Sequence, residues 1–92
     1  MEKKADLIFD FMTNREILKM AEPKDELEQM ILEKALKDLG EVTTVEKLAQ
    51  YLGLSNSSIR RAINSRKLVS YKAGRKIFVI TKSLLNIIKV ME

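Results

Sequence analysis

The stretch LGLSNSSIRRAIN, residues 52–64, holds most of the side chains that could bind a ligand. Its apolar residues Leu54, Ile59 and Ile63 recur at a spacing typical of a helix with one buried face. At about 100° per residue, the opposite face carries serine, arginine and asparagine side chains. Arg can form two hydrogen bonds to guanine, Asn can form two to adenine, and Ser can contact several bases. We therefore predict that four residues read base edges of double-stranded DNA: Ser57, Ser58, Arg61 and Asn64.

A second group of polar residues is expected to contact the phosphate backbone. The start of this helix leaves N–H groups free to attract a phosphate, and Arg60 flanks the base-reading face. Further along the chain, basic residues crowd the tip of a predicted β-hairpin. The predicted phosphate contacts are Ser55, Asn56, Arg60, Lys72, Arg75 and Lys76.

The charge distribution also indicates a polyanionic partner. Residues 1–40 contain seven Lys and Arg against ten Asp and Glu, whereas residues 41–92 contain ten against three. The net charges of the two halves are therefore −3 and +7. A strongly basic half of this kind is typical of nucleic-acid binding. We expect an acidic helical segment over 1–40 and a DNA-binding domain over 41–92.

Catalytic and metal chemistry is not expected. The chain has no cysteine and no histidine, so the commonest general base and the commonest metal ligands are missing. No nucleophile–base pair and no phosphate-binding glycine loop is found. No apolar run approaches the roughly 18 residues of a membrane span, and no signal peptide is recognisable. We expect a non-enzymatic cytoplasmic protein associated with the nucleoid, without a metal, a cofactor, a small-molecule ligand or a membrane partner.

The first forty residues favour helices. The dense apolar residues from Asp6 to Met12 favour a first helix. Thr13 followed by Glu16 is a capping-box pattern, which predicts a short helix through about Ala21. Pro23 suits the first turn of the next helix, because its missing N–H has no partner there.

That next helix has a wide apolar stripe and ends at Gly40. The stripe consists of Leu27, Met30, Ile31, Leu32, Ala35, Leu36 and Leu39. Two interpretations stay open. The helix braces the basic half, or it forms a surface for a second copy or another partner.

The basic half predicts two short helices joined by a tight turn. Thr43 or Thr44 can cap the first helix, and the capping-box rule favours Thr43 because Glu46 follows three residues later. Gly53 can take the positive φ that a sharp turn needs, and Ser55 caps the second helix. This arrangement is typical of a helix-turn-helix, with a recognition helix over about 55–65.

A β-hairpin and a last helix complete the predicted fold. The segments Leu68–Lys72 and Arg75–Ile80 are rich in strand formers and are joined at Ala73 and Gly74. A basic hairpin after a helix-turn-helix is termed a wing, and here it spans about 68–80. Thr81 is expected to cap a last helix with a wide apolar side, which either closes the core or pairs with a second copy. The predicted fold class is mainly α with a small β-hairpin, a winged helix-turn-helix preceded by an N-terminal helical segment.

Residues 43–85 resemble the MerR-like winged-helix domain in its excisionase-type, single-domain form. The matching run is TVEKLAQYLGLSNSSIRRAINSRKLVSYKAGRKIFVITKSLL. The threonine, apolar, turn, arginine and wing positions of that family are occupied by Thr44, Leu48, Ala49, Leu52, Gly53, Leu54, Ser55, Arg61, Leu68, Gly74 and Arg75. The resemblance implies a recognition helix in the major groove, with Arg61 as its arginine, and a wing on the adjacent backbone or minor groove. Two positions depart from the family: Arg66 stands where a glycine is common, and Val69 where a proline is common.

Two functions from different classes follow from these observations. The first is sequence-specific binding of double-stranded DNA, as an excisionase-like recombination directionality factor or as a transcriptional regulator. Such a protein could form a homo-oligomer through its N-terminal helices or its C-terminal helix. The second is a protein-interaction adaptor that uses the helix-turn-helix and the acidic helices without binding DNA.

Overall fold

The computed structural model describes residues 12–91, so most of the helix predicted from Asp6 to Met12 lies outside the described residues. The described part contains five α-helices, three strands and one 3₁₀ turn. The helices are α1 (Asn14–Met20), α2 (Glu26–Leu39), α3 (Val45–Leu52), α4 (Asn56–Asn64) and α5 (Leu84–Met91). The strands are β1 (Val42–Thr44), β2 (Ser70–Ala73) and β3 (Lys76–Ile80), and the 3₁₀ turn covers Thr81–Ser83. The predicted fold class is confirmed.

Helix α1 begins with the predicted capping box. The Thr13 hydroxyl accepts a hydrogen bond from the Glu16 backbone N–H at 3.2 Å, and the Glu16 carboxylate accepts one from the Thr13 N–H at 2.8 Å. The helix ends at Met20 with Ala21 as its C-cap, which agrees with the predicted end at about Ala21. Its buried residue is Ile17, which lies in a cluster with Val69, just before β2, and Ile80 of β3.

Helix α2 begins later than the sequence predicted. Pro23 was expected in its first turn, but this prediction is wrong because the helix starts at Glu26. Asp25 precedes it, and its carboxylate accepts a hydrogen bond from the Glu28 N–H at 2.8 Å. Asp25 is thus the capping residue, and the helix starts directly after it. The predicted end at Gly40 is confirmed.

The prediction that Thr43 rather than Thr44 caps α3 is wrong. Thr44 caps the helix, since its hydroxyl accepts a hydrogen bond from the Lys47 N–H at 3.2 Å. Thr43 lies in the middle of β1, a short strand that the sequence did not predict. It pairs with Val79 in the middle strand of the sheet, and its side chain therefore points into the core.

The turn between α3 and α4 has the predicted glycine conformation. Gly53 has a φ of 70° in the left-handed region. The Leu54 N–H donates to the Ala49 carbonyl at 2.9 Å, and the Gly53 N–H donates to the Gln50 carbonyl at 3.3 Å. These two bonds form a Schellman motif, which ends α3 and directs the chain into α4.

The hairpin is shorter at its start than predicted. Leu68 and Val69 precede β2, and Arg75 lies in the turn rather than in a strand. Ala73 pairs with Lys76, which leaves Gly74 and Arg75 as a two-residue turn. Gly74 has a φ of 65° at the first turn position, as a type II′ turn requires.

The prediction that Thr81 caps the last helix is wrong. Thr81 begins the 3₁₀ turn, and its hydroxyl is fully buried rather than bonded to the helix start. The Thr81 N–H donates to the Glu41 carbonyl at 3.0 Å, so this residue continues the sheet before the chain turns. Helix α5 follows, and Leu84 and Leu85 are fully buried in the core of the chain.

Helix α2 shares one core with the helices and strands that follow it, whereas Ile17 of α1 lies in a second, smaller cluster with Val69. Leu32 and Ala35 of α2 lie in the same buried cluster as Leu48 of α3 and Ile59 of α4. The bracing interpretation therefore applies to the second half of α2, whereas Leu27 and Met30 near its start are 60% and 61% exposed. The proposed division between residues 40 and 41 stays a prediction. Among residues 12–91, no helix combines the length and the apolar character needed to span a bilayer.

Candidate nucleic-acid interface

The outward face of α4 is exposed where the helical spacing placed it. Ile59 is fully buried, which fixes the side of α4 that faces the core. The exposed residues of the helix and its cap are Ser55, Asn56, Ser57, Arg60, Arg61 and Asn64. These side chains form a polar face with two guanidinium groups and no carboxylate. Hydrogen-bond donors and acceptors of this kind match the edges of base pairs in the major groove.

Ser58 differs from the other predicted base-reading residues. It is half-buried, and its hydroxyl lies 3.0 Å from the hydroxyl of Ser55. The Ser55 hydroxyl also accepts a hydrogen bond from the Ser58 N–H at 3.1 Å, which confirms Ser55 as the cap of α4. Both serines therefore take part in the capping structure at the start of the helix.

The hairpin places basic side chains near α4. Lys72, Arg75 and Lys76 are all exposed at or beside the two-residue turn. An open cleft of about 470 Å³ lies between the hairpin and the two helices. It is lined by Thr44, Val45, Glu46, Lys47, Arg60, Arg75, Lys76 and Ile77. The structure thus brings Arg60 together with Arg75 and Lys76, while the other predicted contacts lie outside this cleft.

Lys47 is a cleft residue that the sequence analysis missed. It stands in the first turn of α3, where the helix dipole favours acidic rather than basic side chains. This unfavourable position is a sequence feature that could have drawn attention to Lys47. Glu46 precedes it and is an acidic group among the four basic residues of the cleft.

A buried serine holds the base of the hairpin. The Ser83 hydroxyl donates to the Ile80 carbonyl at 2.6 Å and accepts from the Val69 N–H at 3.1 Å. The Ile80 N–H donates to the Val69 carbonyl at 2.9 Å. These bonds fix the two chain segments from which the hairpin extends, so its tip projects from a rigid base.

The path from α4 to the hairpin is fixed by a second Schellman motif. The Lys67 N–H donates to the Ala62 carbonyl and the Arg66 N–H to the Ile63 carbonyl, both at 3.0 Å. Arg66 has a φ of 64°, in the left-handed region that favours glycine. Its guanidinium donates to the Asn14 side chain at 3.0 Å, which links this turn to α1.

Asn86 forms a second link between α1 and this segment. It is buried, and its side-chain amide donates to the Ile17 carbonyl at 3.2 Å and to the Lys67 carbonyl at 3.0 Å. The sequence analysis did not single out Asn86, because an asparagine on an apolar helix face does not reveal its partners. The N-terminal segment is therefore attached to the residues that lead into the hairpin.

Tyr51 joins α3 to α2. Partial burial raises the pKa of the Tyr51 phenol, and so does the Asp38 carboxylate, which accepts its hydrogen bond and disfavours a second negative charge nearby. The contact orients α2 beside the first helix of the helix-turn-helix.

Two helices joined by a left-handed glycine, followed by an antiparallel hairpin, place this chain in the class of winged helix-turn-helix proteins. Residues 44–89, half of the 92-residue chain, match the family described as a helix-turn-helix domain. The chain belongs to this family, which supports DNA as its partner. Comparison with curated proteins and with solved structures gives no significant match. Within residues 12–91, no cluster of three or more His, Cys, Asp or Glu side chains is arranged to hold a metal ion.

Proposed function

We propose that this protein binds double-stranded DNA in a sequence-specific manner, with α4 in the major groove and the hairpin on the neighbouring backbone or minor groove. The observation that carries the proposal is the shared cleft, because Arg60 of α4 and Arg75 and Lys76 of the hairpin border the same space. A DNA strand that runs through this region would meet both elements at once. Base contacts are assigned to Ser57, Ser58, Arg61 and Asn64, with Ser58 as the least accessible of them.

The phosphate contacts follow from the positive charges and the free backbone donors. Arg60, Lys72, Arg75 and Lys76 supply cations, and Ser55 and Asn56 supply the start of α4. Lys47 is added to this set because it lines the cleft with Arg60. Contacts to about four to six phosphates would make log affinity fall with log salt at a slope of roughly −4 to −5.

The biological role that we propose is that of an excisionase-like recombination directionality factor or a transcriptional regulator, without enzymatic activity. The two roles predict different target sites. Selection of bound sequences from random duplexes, followed by footprinting, should give tandem direct repeats for the first role and palindromes for the second. Association of copies through the N-terminal or C-terminal helices is part of this proposal, as is association with the nucleoid.

The test is a salt titration by fluorescence anisotropy with a selected duplex. Arg61→Ala should lower the affinity for that duplex by about 1–3 kcal/mol and relax specificity at one base position. Arg75→Gln with Lys76→Gln should weaken binding to all sequences alike and reduce the magnitude of the salt slope by roughly two. The matched control is Lys34→Gln with Lys37→Gln, which removes the same charge from α2 and should change the slope little.

Two results would contradict the proposal. The first is the absence of any complex with mixed duplexes at low ionic strength, which would favour the adaptor function instead. The second is full sequence-specific binding by the Arg61→Ala protein, which would remove Arg61 from the recognition face while leaving DNA binding itself intact.

A further inference from the structure

The three-stranded sheet has an apolar face that the helix-turn-helix does not cover. The strand order is β1–β3–β2, and α3 packs on the face that carries the buried Val79. Residues alternate along a strand, so Phe78 and Ile80 point to the opposite face. Phe78 pairs with Tyr71 of β2, and Ile80 pairs with Val42 of β1. We call the surface of Val42, Tyr71, Phe78 and Ile80 the outer sheet face.

Much of the outer sheet face is open to solvent. The rings of Tyr71 and Phe78 stack with centroids 5.6 Å apart at an interplanar angle of 25°. Tyr71 nevertheless remains 47% exposed, and Val42 at the other edge of the sheet is 38% exposed. Two stacked aromatic rings beside an exposed valine form an apolar surface, and water contact with such a surface is unfavourable.

Helix α1 already covers one end of this face. Ile17 is fully buried against Val69, and Met12, Leu18 and Ile80 pack around this pair. Helix α1 therefore covers the end of the outer sheet face nearest the hairpin base, where Ile80 lies. The cross-strand pair Tyr71–Phe78 is two residues closer to the hairpin tip, which is about 7 Å further along the strands.

The chain that precedes Met12 has the composition to extend this coverage. Met12 is half-buried in the cluster around Ile17, so residues 1–11 lead directly to the covered end of the face. Four of the five residues from Leu7 to Phe11 are apolar, and two of them are phenylalanines. Five residues span about 7.5 Å as a helix and up to about 17 Å when extended, so either conformation reaches the Tyr71–Phe78 pair.

We propose that residues 7–11 of the same chain dock on the outer sheet face, with their phenylalanine rings against Tyr71 and Phe78. A competing apolar surface, Leu27 and Met30 of α2, is also exposed. Helix α2 packs in the other buried cluster, whereas Met12 contacts the Ile17–Val69 cluster at the sheet itself. The inference does not depend on DNA binding.

The first test measures the accessibility of Tyr71 in the full chain. The chain has two tyrosines, so nitration with tetranitromethane can be followed for Tyr71 with Tyr51 as the internal reference. Serine at positions 7, 9 and 11 (Leu7→Ser, Phe9→Ser, Phe11→Ser) should raise the nitration rate of Tyr71 severalfold and leave that of Tyr51 unchanged. The matched control, Leu27→Ser with Met30→Ser, should change neither rate. An unchanged Tyr71 rate in the N-terminal variant would overturn the proposal.

The second test uses cysteine variants and therefore does not depend on the folding of the serine variant. Because the chain has no cysteine, Phe9→Cys with Ala73→Cys creates a single possible disulfide beside the Tyr71 and Phe78 rings. Air oxidation in dilute solution should give an intramolecular bond, which requires the two Cα atoms to approach within about 7 Å. The pair Phe9→Cys with Met30→Cys should stay reduced. An intermolecular disulfide would identify a second copy as the occupant, and oxidation of the Met30 pair would place the segment on α2; either result overturns the proposal.

Discussion

The adjacent residues Thr43 and Thr44 should respond in opposite ways to the same substitution. Thr44 caps α3 through a 3.2 Å hydrogen bond from the Lys47 N–H. Replacement of such a cap costs about 1 kcal/mol of stability. Thr43 is 3% exposed, and its hydroxyl has no hydrogen-bond partner among residues 12–91. A buried hydroxyl without a partner is unfavourable by about 1–3 kcal/mol, and valine has nearly the same shape without that group.

We therefore expect Thr43→Val to stabilise the protein by about 1 kcal/mol and Thr44→Val to destabilise it by about the same amount. The assay is urea denaturation followed by circular dichroism. Small proteins have slopes of about 1–3 kcal/mol per molar urea, so the two midpoints should differ by roughly 1 M. The slopes themselves should not change, because both variants bury the same surface.

Thr81→Val is the independent check on this reasoning. The Thr81 hydroxyl is also buried without a partner among the described residues, so the same gain is expected at a second position. A loss of stability for both Thr43→Val and Thr81→Val would refute the argument, since it would show that these hydroxyls form favourable contacts. A Thr44→Val protein as stable as the wild type would remove the assignment of that residue as the cap.

Three further predictions follow, two on the contacts of the N-terminal segment and one on the cationic cleft. Asn86→Asp should destabilise the protein by more than about 2 kcal/mol, measured by thermal unfolding, because a carboxylate cannot donate to the Ile17 carbonyl; a melting temperature equal to that of wild type would contradict this. Arg66→Gly should be more stable than Arg66→Ala by about 1 kcal/mol in the same assay, since both lose the bond to Asn14 but only alanine keeps the left-handed strain. Glu46→Gln should raise DNA affinity in the anisotropy assay, because it removes the carboxylate from the cationic cleft; weaker binding would place Glu46 in a structural role.

The helical face of α4 could be predicted because its information is local. Ile59 defines the buried side, and the helical period then places Arg61 and Asn64 on the exposed side without further knowledge. The Schellman turn at Gly53 is local in the same sense. The cap at Thr44 was missed because the sequence pattern T-x-x-E fits Thr43 with Glu46 and not Thr44, and only the pairing of Thr43 with Val79 excludes Thr43.

The cleft and its supports could not be predicted because they depend on contacts between distant segments. Lys47 meets Arg75 and Lys76 only after α3 and β3 have packed together. Asn86 bonds to a carbonyl 69 positions earlier in the chain, and Arg66 to a side chain 52 positions earlier. The periodicity of a single segment gives no information about contacts between residues so far apart in the sequence.

The burial of Ile17 against Val69 has a consequence for protein engineering. A transplant of residues 41–92 into a fusion protein would leave behind the helix that shields this part of the sheet. Val69 and Ile80 would then be exposed to water in the fusion protein, and this exposed apolar surface would favour aggregation. Because Leu32 and Ala35 of α2 also belong to the main core, the design rule that the structure gives is to retain residues 12–40 in front of the graft.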